Sequence, residues 1–135
     1  MAYIRVIHKN HYDARKGRFT SVAFSPSSSN GGVSVIGANC VHESGRTYCA
    51  HVHEFYSIVA GTPAIFIKLN QNDIPDGCQF VSTPTDDPCH FDIMGFEKNQ
   101  AKRFARALFK NTPLNMFRIC SDEDGERELR IEDLD

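Results

Sequence analysis

Residues 97–110 (EKNQAKRFARALFK) sort cleanly by chemistry when wound into a helix. Ala101, Phe104, Ala105 and Leu108 follow the i, i+3, i+4, i+7 rule of a single apolar stripe. Lys98, Lys102, Arg106 and Lys110 recur at every fourth position beside it, with Arg103 close by. A helix that is greasy on one side needs a second layer to cover that side. The same helix leaves a row of cations for solvent or for a partner.

The second layer is foreshadowed by short apolar runs. Tyr3 to Ile7, Phe19 to Phe24, Val33 to Ile36, Cys78 to Ser82, His90 to Met94 and Asn115 to Cys120 read as strands. Pro63 to Leu69 (PAIFIKL) is apolar at nearly every position, which suits a central strand covered on both faces. Between Thr47 and Ala60 the period changes. Val52, Phe55, Tyr56 and Val59 repeat at helical spacing, and Gly61 follows as a stop signal. The segment His8 to Arg18 reads as a loop or short helix. Ser25 to Gly32, Asn70 to Gly77 and Pro84 to Pro88 are rich in turn formers. The expected fold is therefore α+β: a mixed or antiparallel sheet of about five or six short strands with two packed helices. At 135 residues, 41% of them hydrophobic, the chain suits one folded domain rather than disorder.

Charge is unevenly distributed. Residues 121–135 hold eight acids and two bases, a net of −6, so residues 1–120 carry +4 against −2 for the whole chain. We expect a single domain over 1–120 and an acidic, mobile tail over 121–135, with a marginal helix around Glu126 to Leu134. A mildly basic body favours anionic partners, although +4 is far below the charge of a dedicated DNA-binding domain.

Cys40, Cys49, Cys78, Cys89 and Cys120 are odd in number and irregular in spacing, with no CxxC. The first residues lack the apolar core of a secretory signal, and no run approaches a membrane span. These features predict free thiols and a cytoplasmic setting without a membrane partner.

Three blocks carry a resemblance: GRFTSVAFSPSSS followed by GVSV, the helix-then-strand at 47–69, and HFDIMGF followed by NQAKRFARAL. Their order resembles a group of small bacterial proteins sharing GR-x-x-S-x-AF, then SV, then H-x-D-I-x-G and Q-A-K-R. The resemblance covers most of residues 1–110 and implies an architecture and a bacterial origin. No activity is attached to that group, so it implies no catalytic residue and no cofactor.

Residue chemistry offers several further candidates. The loop near Arg18, Ser21, Phe24, Ser25 and Ser34 offers hydroxyls and backbone N–H groups to a phosphate, but it lacks the P-loop pattern. A plain exposed connection with Phe24 in the core explains it as well. His90 and Asp92, two apart on a strand, project to one side, where a carboxylate can orient an imidazole for acid–base work. Ordinary polar alternation produces the same pattern. For metal, we expect none; the alternative is a zinc-stabilised interaction module using Cys49, His53, Cys89 and His90. On a helix His51 and His53 point about 200° apart and cannot share an ion. The order Arg5, His8, His11, Ser21, Glu54 loosely resembles ADP-ribosyltransferase-type folds, but Glu54 falls on the expected helix, which is wrong for that fold.

The function expected from these features is binding. A nucleic acid or an acidic protein would be engaged through Lys98, Lys102, Arg103, Arg106 and Lys110, with Arg18 as a further phosphate contact. The alternative is an enzyme acting on a nucleotide or RNA with His90 and Asp92 as the acid–base pair. A solvated outer face accounts for the cations without any partner. The acidic tail could also cover them in cis. Size and bacterial resemblance alone suggest a toxin–antitoxin or phage-defence module.

Overall fold

Alternation of side chains along a strand sends neighbours to opposite faces, so runs that are apolar at consecutive positions must be covered on both. That is the arrangement here. The computed structural model describes residues 2–7, 12–13, 15, 18–19, 32–55, 64–97, 100–120 and 125–134, with the backbone alone at Arg18, Phe19, Lys102, Ala105, Phe109 and Lys110. In chain order the elements are β1 (Tyr3–Ile7), β2 (Tyr12–Asp13), β3 (Arg18–Phe19), β4 (Val33–Gly37), α1 (Ala38–Glu43), α2 (Tyr48–Phe55) and β5 (Ile65–Leu69). They continue with β6 (Gln79–Ser82), β7 (His90–Met94), α3 (Gln100–Asn111), β8 (Arg118–Cys120) and β9 (Glu126–Glu128).

Seven strands form one open antiparallel sheet in the order β6-β7-β4-β1-β5-β8-β9. β2 and β3 form a separate two-stranded ribbon, with Tyr12 opposite Phe19 and Asp13 opposite Arg18. The first strand lies in the middle of the main sheet. Tyr3 is opposite Leu69 on one side and Gly37 on the other. As PAIFIKL predicted, β5 is an interior strand, flanked by β1 and β8.

The buried side chains divide by face. Tyr3, Ile7, Val35, Ile65, Ile67, Ile93 and Ile119 share one cluster with Phe104 of α3. Ile4, Ile36, Phe66 and Cys120 share the other with Val41 of α1 and Val52 of α2. The fold is thus three layers: α1 and α2, the sheet, then α3. The α+β class expected from the sequence is observed, with a purely antiparallel main sheet.

Three elements were not anticipated. β2 falls in the segment His8 to Arg18, expected to be a loop or short helix, but pairs with β3 as a strand. α1 has only six residues, begins without a side-chain cap, and buries just Ala38 and Val41. β9 lies in the acidic segment expected to be mobile. It pairs with β8, placing Arg118 opposite Glu128 and Cys120 opposite Glu126. Leu129 next to it is buried, and Ile131–Leu134 turn into a short 3-10 helix. The expected tail is therefore docked over residues 125–134, where a short edge strand replaces the expected helix. The expected strand continuation at 20–24, the loop at 25–31 and the second half of the 47–60 helix lie outside the described residues.

Candidate functional site

The start of α3 is set by a side chain. Gln100 Oε1 accepts from the Glu97 N–H at 3.0 Å, and the Gln100 N–H donates to the Glu97 carbonyl at 2.9 Å. This reaching back from the helix to its entry residue is half of a capping box. Ala101 and Phe104 are then buried, and Leu108 packs on the same cluster. Phe96, just before the helix, lies 6.0 Å from Phe104 between ring centroids. The described members of the predicted stripe, Ala101, Phe104 and Leu108, therefore dock inward, and the side chain of Ala105 lies outside the described residues. Arg103 and Arg106 are exposed. They lie three residues apart, a spacing that sets two side chains on one helix face. Lys98 lies outside the described residues, as do the side chains of Lys102, Lys110 and Arg18.

Several of the described acids are engaged elsewhere. Glu126 lies 3.6 Å from Arg118, and Asp133 grips Arg127 through two hydrogen bonds of 2.6 and 2.8 Å. Glu54 pairs with Arg46. Among the described residues, no carboxylate forms an ion pair with Arg103 or Arg106.

His90 and Asp92 both lie on β7, opposite Ile36 and Ser34 of β4. Both are buried, at 8% and 2% exposure. The His90 Nδ1–H donates to the Thr83 carbonyl at 2.8 Å and lies 3.0 Å from the Thr83 hydroxyl. Asp92 accepts from the Ser34 hydroxyl at 3.5 Å. Each residue of the expected pair is thus held by a different neighbour. A Cβ at Gly32 would lie 2.8 Å from Asp92 Cβ, so Gly32 packs directly on this carboxylate.

The cysteines correct the expectation of free thiols. Cys40 bonds to Cys89 and Cys49 to Cys120, leaving Cys78 unpaired. Irregular spacing carried no sign of this, because the pairs form between distant segments. Of the four residues considered for zinc, Cys49 and Cys89 are in different disulfides, His53 is exposed, and His90 is held by Thr83.

A different cluster does assemble. Thr47 caps α2, its hydroxyl accepting from the Ala50 N–H at 3.1 Å. The helix then turns His51 inward beside Val52, to 1% exposure. His51 Nε2 meets Asp87 Oδ1 at 2.9 Å, and that oxygen also accepts from the Cys89 N–H at 2.8 Å. Ligand-type atoms of His51, Asp87 and Cys89 lie within 4.8 Å of one another. The sequence places His51 on the Val52 side of a helix. It has no signal linking that ring to an aspartate 36 residues away.

The clefts open to solvent include two lined by charged side chains. One, of about 260 Å³, is lined by His42, Arg46, Thr47, Tyr48, Cys49 and Glu126. In it the Tyr48 hydroxyl and His42 Nε2 are 2.9 Å apart. Burial, and then the Glu126 carboxylate, raises the Tyr48 phenol above its usual range. The larger cleft, about 620 Å³, opens where β8 leaves β5 after pairing with Ile65 and Phe66. Lys68 and Arg118 line it together with Asp73, Glu126 and Glu128, so its charges favour neither sign of ligand.

No protein-family model, curated protein or solved structure matches this chain. No described helix is long and apolar enough to cross a membrane.

Proposed function

We propose that this chain is a small binding protein that engages an anionic partner, a nucleic acid or an acidic protein, through the outer face of α3. The observation that carries the reading is the division of that helix. Ala101 and Phe104 are buried while Arg103 and Arg106 remain exposed, without a described carboxylate beside them. Exposed guanidinium groups on a rigid helix offer planar, multidentate recognition of phosphate or carboxylate oxygens. The acid–base alternative gains no support from His90 and Asp92, which are buried and separately engaged.

The test is Arg103→Glu with Arg106→Glu, measured against duplex and single-stranded nucleic acid and an acidic polypeptide across a salt series. Five cations each neutralising a duplex phosphate would give a slope of about −4.5 in log K against log salt; removing two brings it to about −2.7. Unchanged affinity and slope in a folded variant would end the binding proposal. Which ligand responds tells nucleic acid from acidic protein.

A bacterial toxin–antitoxin or phage-defence module remains a proposed setting, supported by chain size and the sequence resemblance. A cytoplasmic location is proposed only for the reduced form, because disulfides persist mainly in oxidising compartments.

A further inference from the structure

We propose that reduction of the Cys40–Cys89 disulfide creates a buried site for a zinc-class divalent cation, built from Cys40, Cys89, His51 and Asp87. Three parts of the fold meet here. Cys40 comes from α1, His51 from α2, and Asp87 and Cys89 from the turn entering β7.

Two observations bring four donor atoms to one place. Ligand-type atoms of His51, Asp87 and Cys89 already lie within 4.8 Å of one another. The Cys40 sulfur, bonded to that of Cys89, brings a fourth donor atom to the same place. His51 Nε2, 2.9 Å from Asp87 Oδ1, is the ring nitrogen that faces the carboxylate, and a cation held there would take the place of the proton the two now share.

The donor types select the cation. Two thiolates, an imidazole and a carboxylate suit zinc rather than calcium or magnesium, which prefer all-oxygen shells. Zinc–ligand distances of about 2.0–2.3 Å imply ligands roughly 3.5 Å apart, so the cluster would close by about 1 Å. Two thiolates and one carboxylate supply three negative charges to a dication. In the oxidised protein each sulfur spends its bonding capacity on the other.

The redox step balances with a dithiol as reductant. Its thiolate attacks the Cys40 sulfur, which is partly exposed while Cys89 is 1% exposed, and the Cys40–Cys89 bond breaks to release Cys89 as a thiolate. The second thiol of the reductant then displaces Cys40 and closes a cyclic disulfide. Two electrons and two protons pass to the protein sulfurs, and those protons leave when the cation binds.

The experiment uses the full chain, oxidised or reduced with an excess of dithiol under anaerobic conditions, titrated with Co²⁺ and then displaced by Zn²⁺. The reduced protein is expected to take up one cobalt per chain with thiolate-to-cobalt charge-transfer absorption, and the oxidised protein none. Cys49→Ser with Cys120→Ser should bind as wild type does, which places the metal away from the second disulfide. His51→Ala should weaken binding at least tenfold, and Cys40→Ser alone should remove half of the sulfur-to-metal intensity. The proposal is overturned if the reduced wild-type chain takes up no cobalt, folded or unfolded, or if the His51 and Cys40 variants bind as tightly as wild type.

Discussion

Cys78 is the thiol left over when the other four cysteines pair. It is 4% exposed, and burial followed by the Glu97 carboxylate pushes its thiol up from the usual range. Since the thiolate is the reactive form, a raised pKa and a closed environment both slow its chemistry at neutral pH. Thiol titration of protein purified without reductant should therefore read close to zero in the native state and one per chain in denaturant. After reduction it should read five, the full complement of the sequence. Five in denaturant before any reduction would remove both disulfides. At this scale the sequence was informative about burial and silent about partners. The Val52 side of a helix is legible in a hydrophobic period, and His51 lies beside it. Its partner Asp87, and the partners of all four bonded cysteines, depend on which distant segments the sheet brings together.

Among the elements, legibility followed the strength of the apolar signal. β1, β4, β5, β6, β7 and β8 were read from runs of Val, Ile, Phe and Leu, and α3 from its stripe. α1 was missed because six residues hold too little of a 3.6-residue period to be recognised. β9 was missed because an edge strand can be charged: Glu126, Arg127 and Glu128 are the residue types that protect an exposed edge from further pairing. What holds this last strand down is Leu129 in the core and the fork between Arg127 and Asp133. The Arg127 hydrogen bonds hold the Asp133 carboxyl below its ordinary 3.8, at about 2, helped by the Arg130 backbone N–H. A carboxylate depressed in the folded state contributes stability that is complete above its unfolded value and disappears as pH falls through the folded one. Docking of residues 125–134 should accordingly weaken between about pH 4 and pH 2. Amide hydrogen exchange and the chemical shift of Leu129 followed through that range would show it. Asp133→Asn should loosen the segment at neutral pH and flatten its acid response; the same acid response in that variant would move its origin to another group.

In the whole molecule the two outer layers are attached differently. α3 is held to the sheet by apolar contact, through Phe104, Leu108 and Phe96. The layer of α1 and α2 is also bonded covalently, by Cys40 to Cys89 at the entry of β7 and by Cys49 to Cys120 at the end of β8. These bonds join residues 49 and 71 apart in sequence. Loop entropy depends on the logarithm of that separation, so the two bonds should restrict the unfolded chain to nearly the same extent, about 4 kcal/mol each. A domain of ordinary stability has only about 5–15 kcal/mol in total. Losing either bond should be survivable, while losing both should leave the chain near the edge of folding. Denaturant unfolding of Cys49→Ala with Cys120→Ala, and of Cys40→Ala with Cys89→Ala, would measure this, with the slope checked for changes in the unfolded state. Equal losses near 4 kcal/mol would assign the effect to chain entropy. A clearly larger loss for the Cys40–Cys89 pair would instead show that this bond also holds Asp87 against His51, since removing it frees the turn that presents the carboxylate to the buried ring.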